Sequence, residues 1–202
     1  MERYLVHRVH NNKRHMKKLV LIIAIAVLGS AFAKAQSQQS YQSLMMEYFK
    51  VSGIDTEYEA AYDGMLSMIK DAYQTQEVPA TVWEKLAANK KGSVTKLKGI
   101  LASEYRSIFD DKQDLTNLIE FFSSSAGKQL KKDPNGMNEQ EKMAFNSFRN
   151  SNTGTKLYGR IDLLNKAKES ASMYWSRELF CEVTGQLKEM GYSSSMPMGN
   201  CG

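Results

Sequence analysis

The C-terminal third of the chain carries a long apolar pattern with the period of an α-helix. Ten apolar residues follow one another at intervals of three or four: Leu157, Ile161, Leu164, Ala167, Ala171, Trp175, Leu179, Val183, Leu187 and Met190. This spacing places them along one side of a single helix of about nine turns. Gly185 marks a point where the helix would end or bend. A stripe of this length needs other elements packed along it.

Shorter stretches with the same helical period fill the rest of the body. They predict six further helices, over residues 41–51, 55–73, 80–88, 93–109, 111–122 and 139–148. Ser93 and Asn138 stand where N-caps are expected, and Glu141 would complete a capping box with Asn138. No segment alternates with period two and is rich in Val, Ile and Thr, so we predict no strand. The expected fold is all-α, a single-domain bundle of about seven helices with a long C-terminal helix.

The first 35 residues differ in charge from the remaining 167. They hold seven Lys or Arg and one acid, whereas the rest holds 20 bases and 21 acids. From Met16 the chain has two lysines, an apolar run over residues 19–28, and then Ala33-Lys34-Ala35. This is the three-part layout of a secretory signal, and the run is too short to span a bilayer. We therefore expect residues 16–35 to be a signal peptide, cleaved before Gln36, and the product to be periplasmic or secreted.

Residues 1–15 are polar and basic, and we predict that they are a mis-assigned upstream extension, with translation starting at Met16. All three histidines lie there, so the predicted helical domain, residues 36–190, contains none. This excludes Ser-His and Cys-His nucleophile pairs and histidine-bound metals from the domain. Its near-neutral charge also disfavours nucleic acid as a partner. We assign no catalytic residue, metal site or cofactor from the sequence.

The mature chain would hold two cysteines, Cys181 and Cys201, and an oxidising compartment would allow them to pair. We favour a disulfide between them. The alternative is two free thiols, one packed and one in a loose tail. Residues 191–202 are expected to be a flexible tail unless Cys201 is tied down.

Two ten-residue segments, 121–130 and 148–157, agree at four positions. The shared residues are Phe121, Ser124, Gly127 and Leu130 in the first segment and Phe148, Ser151, Gly154 and Leu157 in the second. Each segment closes one apolar helix and opens another. We interpret both as a tight corner in which Phe anchors the outgoing helix and Ser caps the next one. The Gly would allow close approach of the neighbouring helix, and the Leu would return to the core.

The first of these segments also carries a family resemblance. The run Asp114-Leu115, Leu118-Ile119-Glu120-Phe121-Phe122, followed by Ser124, Gly127-Lys128 and Leu130, resembles the segment typical of the bacterial exported family called domain of unknown function 2059. The resemblance covers roughly residues 93–165. Phe122 stands where that family often has Tyr, and Ser125 where it often has Pro. The resemblance implies a small helical periplasmic domain without an established activity, and it transfers no catalytic residues.

Two Ser-x-x-Lys spacings, Ser125 with Lys128 and Ser93 with Lys96, match the nucleophile and base of penicillin-binding enzymes. The companion Lys-Thr-Gly element does not occur in the chain. Ser125 also coincides with a predicted helix start, where serine is favoured without any catalytic role.

Carboxylates offer the remaining route to hydrolysis in a domain without histidine. Glu104 lies beside an apolar helix face, and Glu169-Ser170 resembles the Glu-Ser pair of lytic transglycosylases. Solvated helix faces are the simpler interpretation of both. A cleft that holds two carboxylates within about 10 Å would favour hydrolysis, whereas an apolar groove without such a pair would favour binding.

Met196, Met198 and Cys201 are soft sulfur ligands suited to Cu(I), although a disulfide would remove the thiolate. Tyrosines and methionines crowd the first two helices, where we expect them mainly to pack the core. The function expected from the sequence is a non-enzymatic binding or structural module of the bacterial cell envelope. The alternatives are a carboxylate-dependent cell-wall glycan hydrolase and a copper-handling protein. The partner would be an envelope protein, lipid or glycan, and the cleaved product would not be an integral membrane protein.

Overall fold

The computed structural model describes residues 39–193 and residue 201, and the described residues from Tyr41 onward belong to one compact unit. The α-helices are α1 Tyr41–Ser52, α2 Ile54–Ala72, α3 Ala80–Ala88, α4 Lys90–Arg106, α5 Lys112–Ser123, α6 Ser125–Lys132, α7 Glu139–Arg149, α8 Asn152–Gly159 and α9 Ile161–Glu189. Two 3₁₀ turns, Gln74–Gln76 and Pro134–Gly136, complete the order. The predicted all-α single-domain bundle with a long C-terminal helix is confirmed. The predicted extension and signal peptide lie outside the described residues.

Helix α9 runs through the bundle, with α4 and α2 packed along it, while α1 packs mainly on α5. Its stripe is buried as the spacing predicts, from Leu164 to Leu187. Trp175 packs edge-on against Tyr58, with ring centroids 5.8 Å apart. Aromatic side chains of the first two helices, Tyr48, Phe49, Tyr58 and Tyr62, are buried in the core. Among the described residues, no helix combines the length and apolar character needed to cross a bilayer.

The predicted cap at Ser93 is wrong. Helix α4 begins at Lys90, and Ser93 lies inside it, with its N–H bonded to the Asn89 carbonyl at 3.0 Å. The Ser93 hydroxyl instead accepts a hydrogen bond from Trp175 Nε1 at 2.9 Å. This serine accepts the hydrogen bond of a buried indole, but in the sequence it resembles a serine that caps the start of a helix. By contrast, Asn138 and Glu141 form the predicted capping box at the start of α7.

The long C-terminal stripe belongs to two helices rather than one. Arg160 interrupts it with φ −119° and ψ 16°, between α8 and α9. Gly185 lies inside α9 and does not end it. The helix ends at Glu189, and Gly191 follows with φ +92°, so that Gly191 N–H bonds to Lys188 O and Tyr192 N–H to Leu187 O. This pair of bonds is the Schellman motif, which favours glycine because of its positive φ.

Candidate functional site

The two repeated segments form corners with the same hydrogen bonds. Ser124 Oγ accepts from the N–H of Gly127, and Ser151 Oγ accepts from the N–H of Gly154, both at 3.1 Å. Each serine hydroxyl also donates to the carbonyl of the phenylalanine three residues before it, at 2.6 Å. The serine therefore joins the end of one helix to the start of the next, through a cap of the usual kind.

Both corner positions require glycine because the end of the preceding helix lies too close to leave room for a side chain. A Cβ at Gly127 would lie closer than 3.0 Å to the Phe121 carbonyl oxygen, and a Cβ at Gly154 equally close to the Phe148 carbonyl oxygen. Both neighbours are backbone atoms at a helix end, so they have little room to yield. The glycines thus allow the chain to turn back on itself within two residues.

The two corners differ at their last shared position. Leu157 is buried in the core, but Leu130 is only half-buried. The expectation that both leucines return to the core therefore holds for Leu157 alone. The two leucines differ in burial because of where their helices pack. Helix α6 packs against α5 and α7 at the edge of the bundle, whereas α8 packs back onto α5.

A buried polar cluster, which sequence reasoning missed, ties the second corner to α5. Asp114 is buried, and its Oδ1 accepts from Thr153 Oγ1 at 3.0 Å while its Oδ2 pairs with Lys156 Nζ. Asn117 Nδ2 donates to the same threonine oxygen at 2.9 Å. The hydrogen bond with Asp114 raises the pKa of the Lys156 ammonium. Because these groups satisfy one another, the cluster is a structural link between α5 and α8.

The Ser-x-x-Lys pairs do not form a nucleophile and base in this structure. Ser125 and Lys128 are both exposed on the outside of α6. Ser93 and Lys96 line a cleft of about 270 Å³ between α2, α4 and α9, but the serine oxygen there is bonded to Trp175. Neither pair has the direct Ser–Lys hydrogen bond that activation requires.

A cleft of about 510 Å³ lies between the C-terminal end of α4 and the first half of α9. We call it the α4–α9 cleft, and its principal lining residues are Glu104, Ile108, Arg160, Leu163, Lys166 and Ser170. It includes one of the two predicted carboxylates, Glu104. The other, Glu169, is exposed on α9 and does not line it. The sequence did not single out Arg160 or Lys166.

The α4–α9 cleft is lined by both apolar and polar side chains. Ile108 and Ala167 are 5% and 9% exposed at its base, while Leu163 is 56% exposed at its edge. Arg160 Nη1 donates to the Ile108 carbonyl oxygen at 2.6 Å, which fixes the guanidinium at the junction of α8 and α9. Glu104 is the sole carboxylate among the lining residues.

A second cleft, about 460 Å³, lies between α2 and α4 and contains two carboxylates. Asp55 and Glu59 stand one turn apart on α2, with Lys90, Lys91 and Lys98 across from them. Asp55 Oδ2 pairs with Lys98 at 2.9 Å, and its Oδ1 is buried without a hydrogen-bond partner in the described structure. The charges of Asp55 and Lys98 are therefore compensated within the protein, whereas Glu59 and Lys91 form no ion pair with the described residues.

The two cysteines are joined in the structure. A disulfide links Cys181 on α9 to Cys201, with Cα atoms 5.5 Å apart. The sulfur of Cys201 is thus not available as a thiolate, and Met196 and Met198 lie outside the described residues. Within the described part of the chain, no cluster of three or more His, Cys, Asp or Glu is arranged to hold a metal ion.

Comparison with known proteins does not assign the chain to a family. No protein-family model matches it, and neither a curated protein nor a solved structure is similar to it. The resemblance to domain of unknown function 2059 stays a prediction, and any functional conclusion depends on the geometry described above.

Proposed function

We propose that the protein is a non-enzymatic binding module of the bacterial cell envelope and that its ligand occupies the α4–α9 cleft. The observation that carries this proposal is an open cleft that combines apolar side chains with two cations and a single lining carboxylate. Its volume of about 510 Å³ falls within the range usual for ligand sites. A glycosidase would need two carboxylates flanking the scissile bond, and this cleft has one.

The exposure of Leu163 supports a binding role. It lines the cleft and is 56% exposed. Apolar side chains that line a concave site can contact the apolar part of a ligand. A ligand in the cleft would remove the edge of Leu163 from water.

The proposed location in the envelope depends on the predicted signal peptide and on the resemblance to domain of unknown function 2059. The basic and apolar segments of residues 16–35 favour export, and the family that residues 93–165 resemble is periplasmic. Intact-mass spectrometry of the protein recovered from the exported fraction tests this part. We expect a mature N-terminus at Gln36, and an N-terminus upstream of Leu28 would contradict it.

The binding role is tested by NMR with solubilised envelope extract. Amide signals of residues that line the α4–α9 cleft should shift in the purified protein, and Leu163→Asn should abolish the shifts. Met143 is a matched control because it is 65% exposed on the distant helix α7, so Met143→Asn should leave the shifts unchanged. Shifts that survive Leu163→Asn would contradict the assignment of the cleft.

A hydrolase is the second candidate because the α2–α4 cleft holds Asp55 and Glu59. Their Cβ atoms are expected about 6 Å apart, as usual for residues one turn apart. Against this, both carboxylates project from the same helix, so they cannot flank a glycosidic bond on opposite sides. Release of soluble fragments from peptidoglycan, lost in Glu59→Gln or Glu104→Gln, would favour this alternative.

A further inference from the structure

Two cations of the α4–α9 cleft have no counter-ion in the described part of the protein. No carboxylate there lies within ion-pair distance of Arg160 or Lys166. Glu104 lines the same cleft but pairs with neither of them. Arg160 is a partly buried residue, and its charge has no counter-ion among the described residues. Coulomb attraction to an anion is stronger at a partly buried position than in bulk water.

Two of the three lysines of the α2–α4 cleft provide a contrast. Lys98 pairs with Asp55 at 2.9 Å and Lys90 pairs with Asp63 at 2.7 Å, so both charges are compensated. In the α4–α9 cleft the two cations face one carboxylate, which leaves an excess of one positive charge. This excess suits a monoanion better than a dianion such as a phosphate monoester.

Arg160 is also held in position before any ligand binds. Its Nη1 donates to the Ile108 carbonyl, and the other N–H groups of the planar fork make no hydrogen bond with the described residues. A guanidinium fork matches the two oxygens of a carboxylate, with which it forms strong bidentate hydrogen bonds. Ile108, Leu163 and Ala167 would then contact an apolar chain attached to that carboxylate.

We propose that the α4–α9 cleft binds a monoanionic carboxylate that carries a short aliphatic chain, with Arg160 and Lys166 as the anion-binding residues. This inference rests on the proposed binding function and specifies its ligand class. Glu104 weakens the interaction by repulsion and helps to select against ligands with a second negative charge.

The test is an NMR and calorimetric titration of the purified protein with octanoate, with neutral octanamide as the chemical control. Octanoate should shift the amides of residues 104–108 and 160–170 saturably. Lys166→Gln should weaken binding about tenfold, as expected for loss of a charge-assisted contact. Lys166 is exposed and forms no ion pair with the described residues, so this variant should fold normally. Lys91→Gln, in the α2–α4 cleft, should bind like the wild type.

Glu104→Gln should tighten octanoate binding, and Arg160→Gln should weaken it more than Lys166→Gln does. Equal affinity of Lys166→Gln and wild type, or shifts confined to other surfaces, would overturn the proposal. If octanamide binds the cleft as tightly as octanoate, the inference about charge fails but the binding function stands. If neither probe binds and envelope extract causes no Leu163-dependent shift, both fail.

Discussion

The rings of Phe121 and Phe148 stack on each other, with centroids 3.9 Å apart and planes 5° from parallel. These are equivalent positions of the repeated segment, each in the last turn of the helix before a corner. The two corners are therefore joined through the residues that they share. Phe145 and Tyr158 extend the aromatic contact at 6.3 Å from each other. The two copies of the repeat therefore pack together as one unit and are not two independent turns.

Alanine at either corner glycine should destabilise the fold. In Gly127→Ala and Gly154→Ala the new methyl group would overlap a phenylalanine carbonyl oxygen, and the backbone would have to move. We expect a loss of roughly 1–3 kcal/mol in the free energy of unfolding, as for other overpacked sites. Urea unfolding followed by circular dichroism measures it.

Gly99→Ala is the matched control for these variants. Gly99 lies inside α4, and apart from the neighbouring backbone of that helix, no described atom lies within 4 Å of the position that an alanine methyl group would take. Alanine at this position should therefore raise stability by about 0.5–1 kcal/mol. If all three substitutions had the same effect, the close approach at the corners would not be the reason for their glycines.

Removal of the corner serine caps should weaken the helices that follow them. Ser124→Ala and Ser151→Ala each leave a helix N–H without its acceptor, which costs about 1 kcal/mol in the free energy of unfolding. Ser125→Ala, next to the cap and exposed, should change little. The opposite ranking would contradict the capping role of Ser124 and Ser151, and loss of an enzymatic activity in Ser125→Ala would point to chemistry at that position.

Removal of the Thr153 hydroxyl should lower the free energy of unfolding, because this hydroxyl links the second corner to Asp114. Thr153→Val keeps the shape of the side chain but leaves Asp114 Oδ1 and Asn117 Nδ2 without their partner. Such unsatisfied groups cost roughly 1–3 kcal/mol. Thr155→Val, exposed on the same helix, should stay within about 0.5 kcal/mol of wild type in chemical unfolding.

Stability should fall in alkaline solution because of two buried tyrosines. Burial raises the pKa of Tyr48 and of Tyr105 well above the ordinary value of about 10. Above that pH the unfolded chain loses these protons while the folded chain keeps them, so the free energy of unfolding decreases as pH rises. Tyr48→Phe should flatten this slope in urea titrations between about pH 9 and 11. Ionisation of Tyr48 in the folded protein within that range, detected by its ultraviolet absorbance, would contradict it.

The helical period was enough to predict the fold class, but it could not locate the break at Arg160. Leu157 and Leu164 are buried on either side of it and stand seven residues apart, as they would in one helix. The apolar pattern therefore continues across the junction at Arg160, although the helical backbone is interrupted there. Ser93 shows a related limit, since its partner Trp175 is 82 residues away and no local pattern reveals it.

The polar features were harder to predict than the helices, because they depend on contacts between residues that are far apart in the sequence. Asp114 looks like an ordinary exposed helix residue until Thr153 and Lys156 are brought against it by the second corner. The α4–α9 cleft exists only because the end of one helix lies beside the start of another. Glu104 could be selected from the sequence as a carboxylate near an apolar face, whereas the orientation of Arg160 depends on the Ile108 carbonyl.

We propose that the protein binds its ligand in the α4–α9 cleft without chemical conversion. NMR of the purified protein in envelope extract, combined with mass analysis of the extract before and after incubation, tests this most directly. We expect shifts at residues 104–108 and 160–170 and an unchanged extract. Shifts centred elsewhere, or new products that disappear in Glu104→Gln, would contradict it.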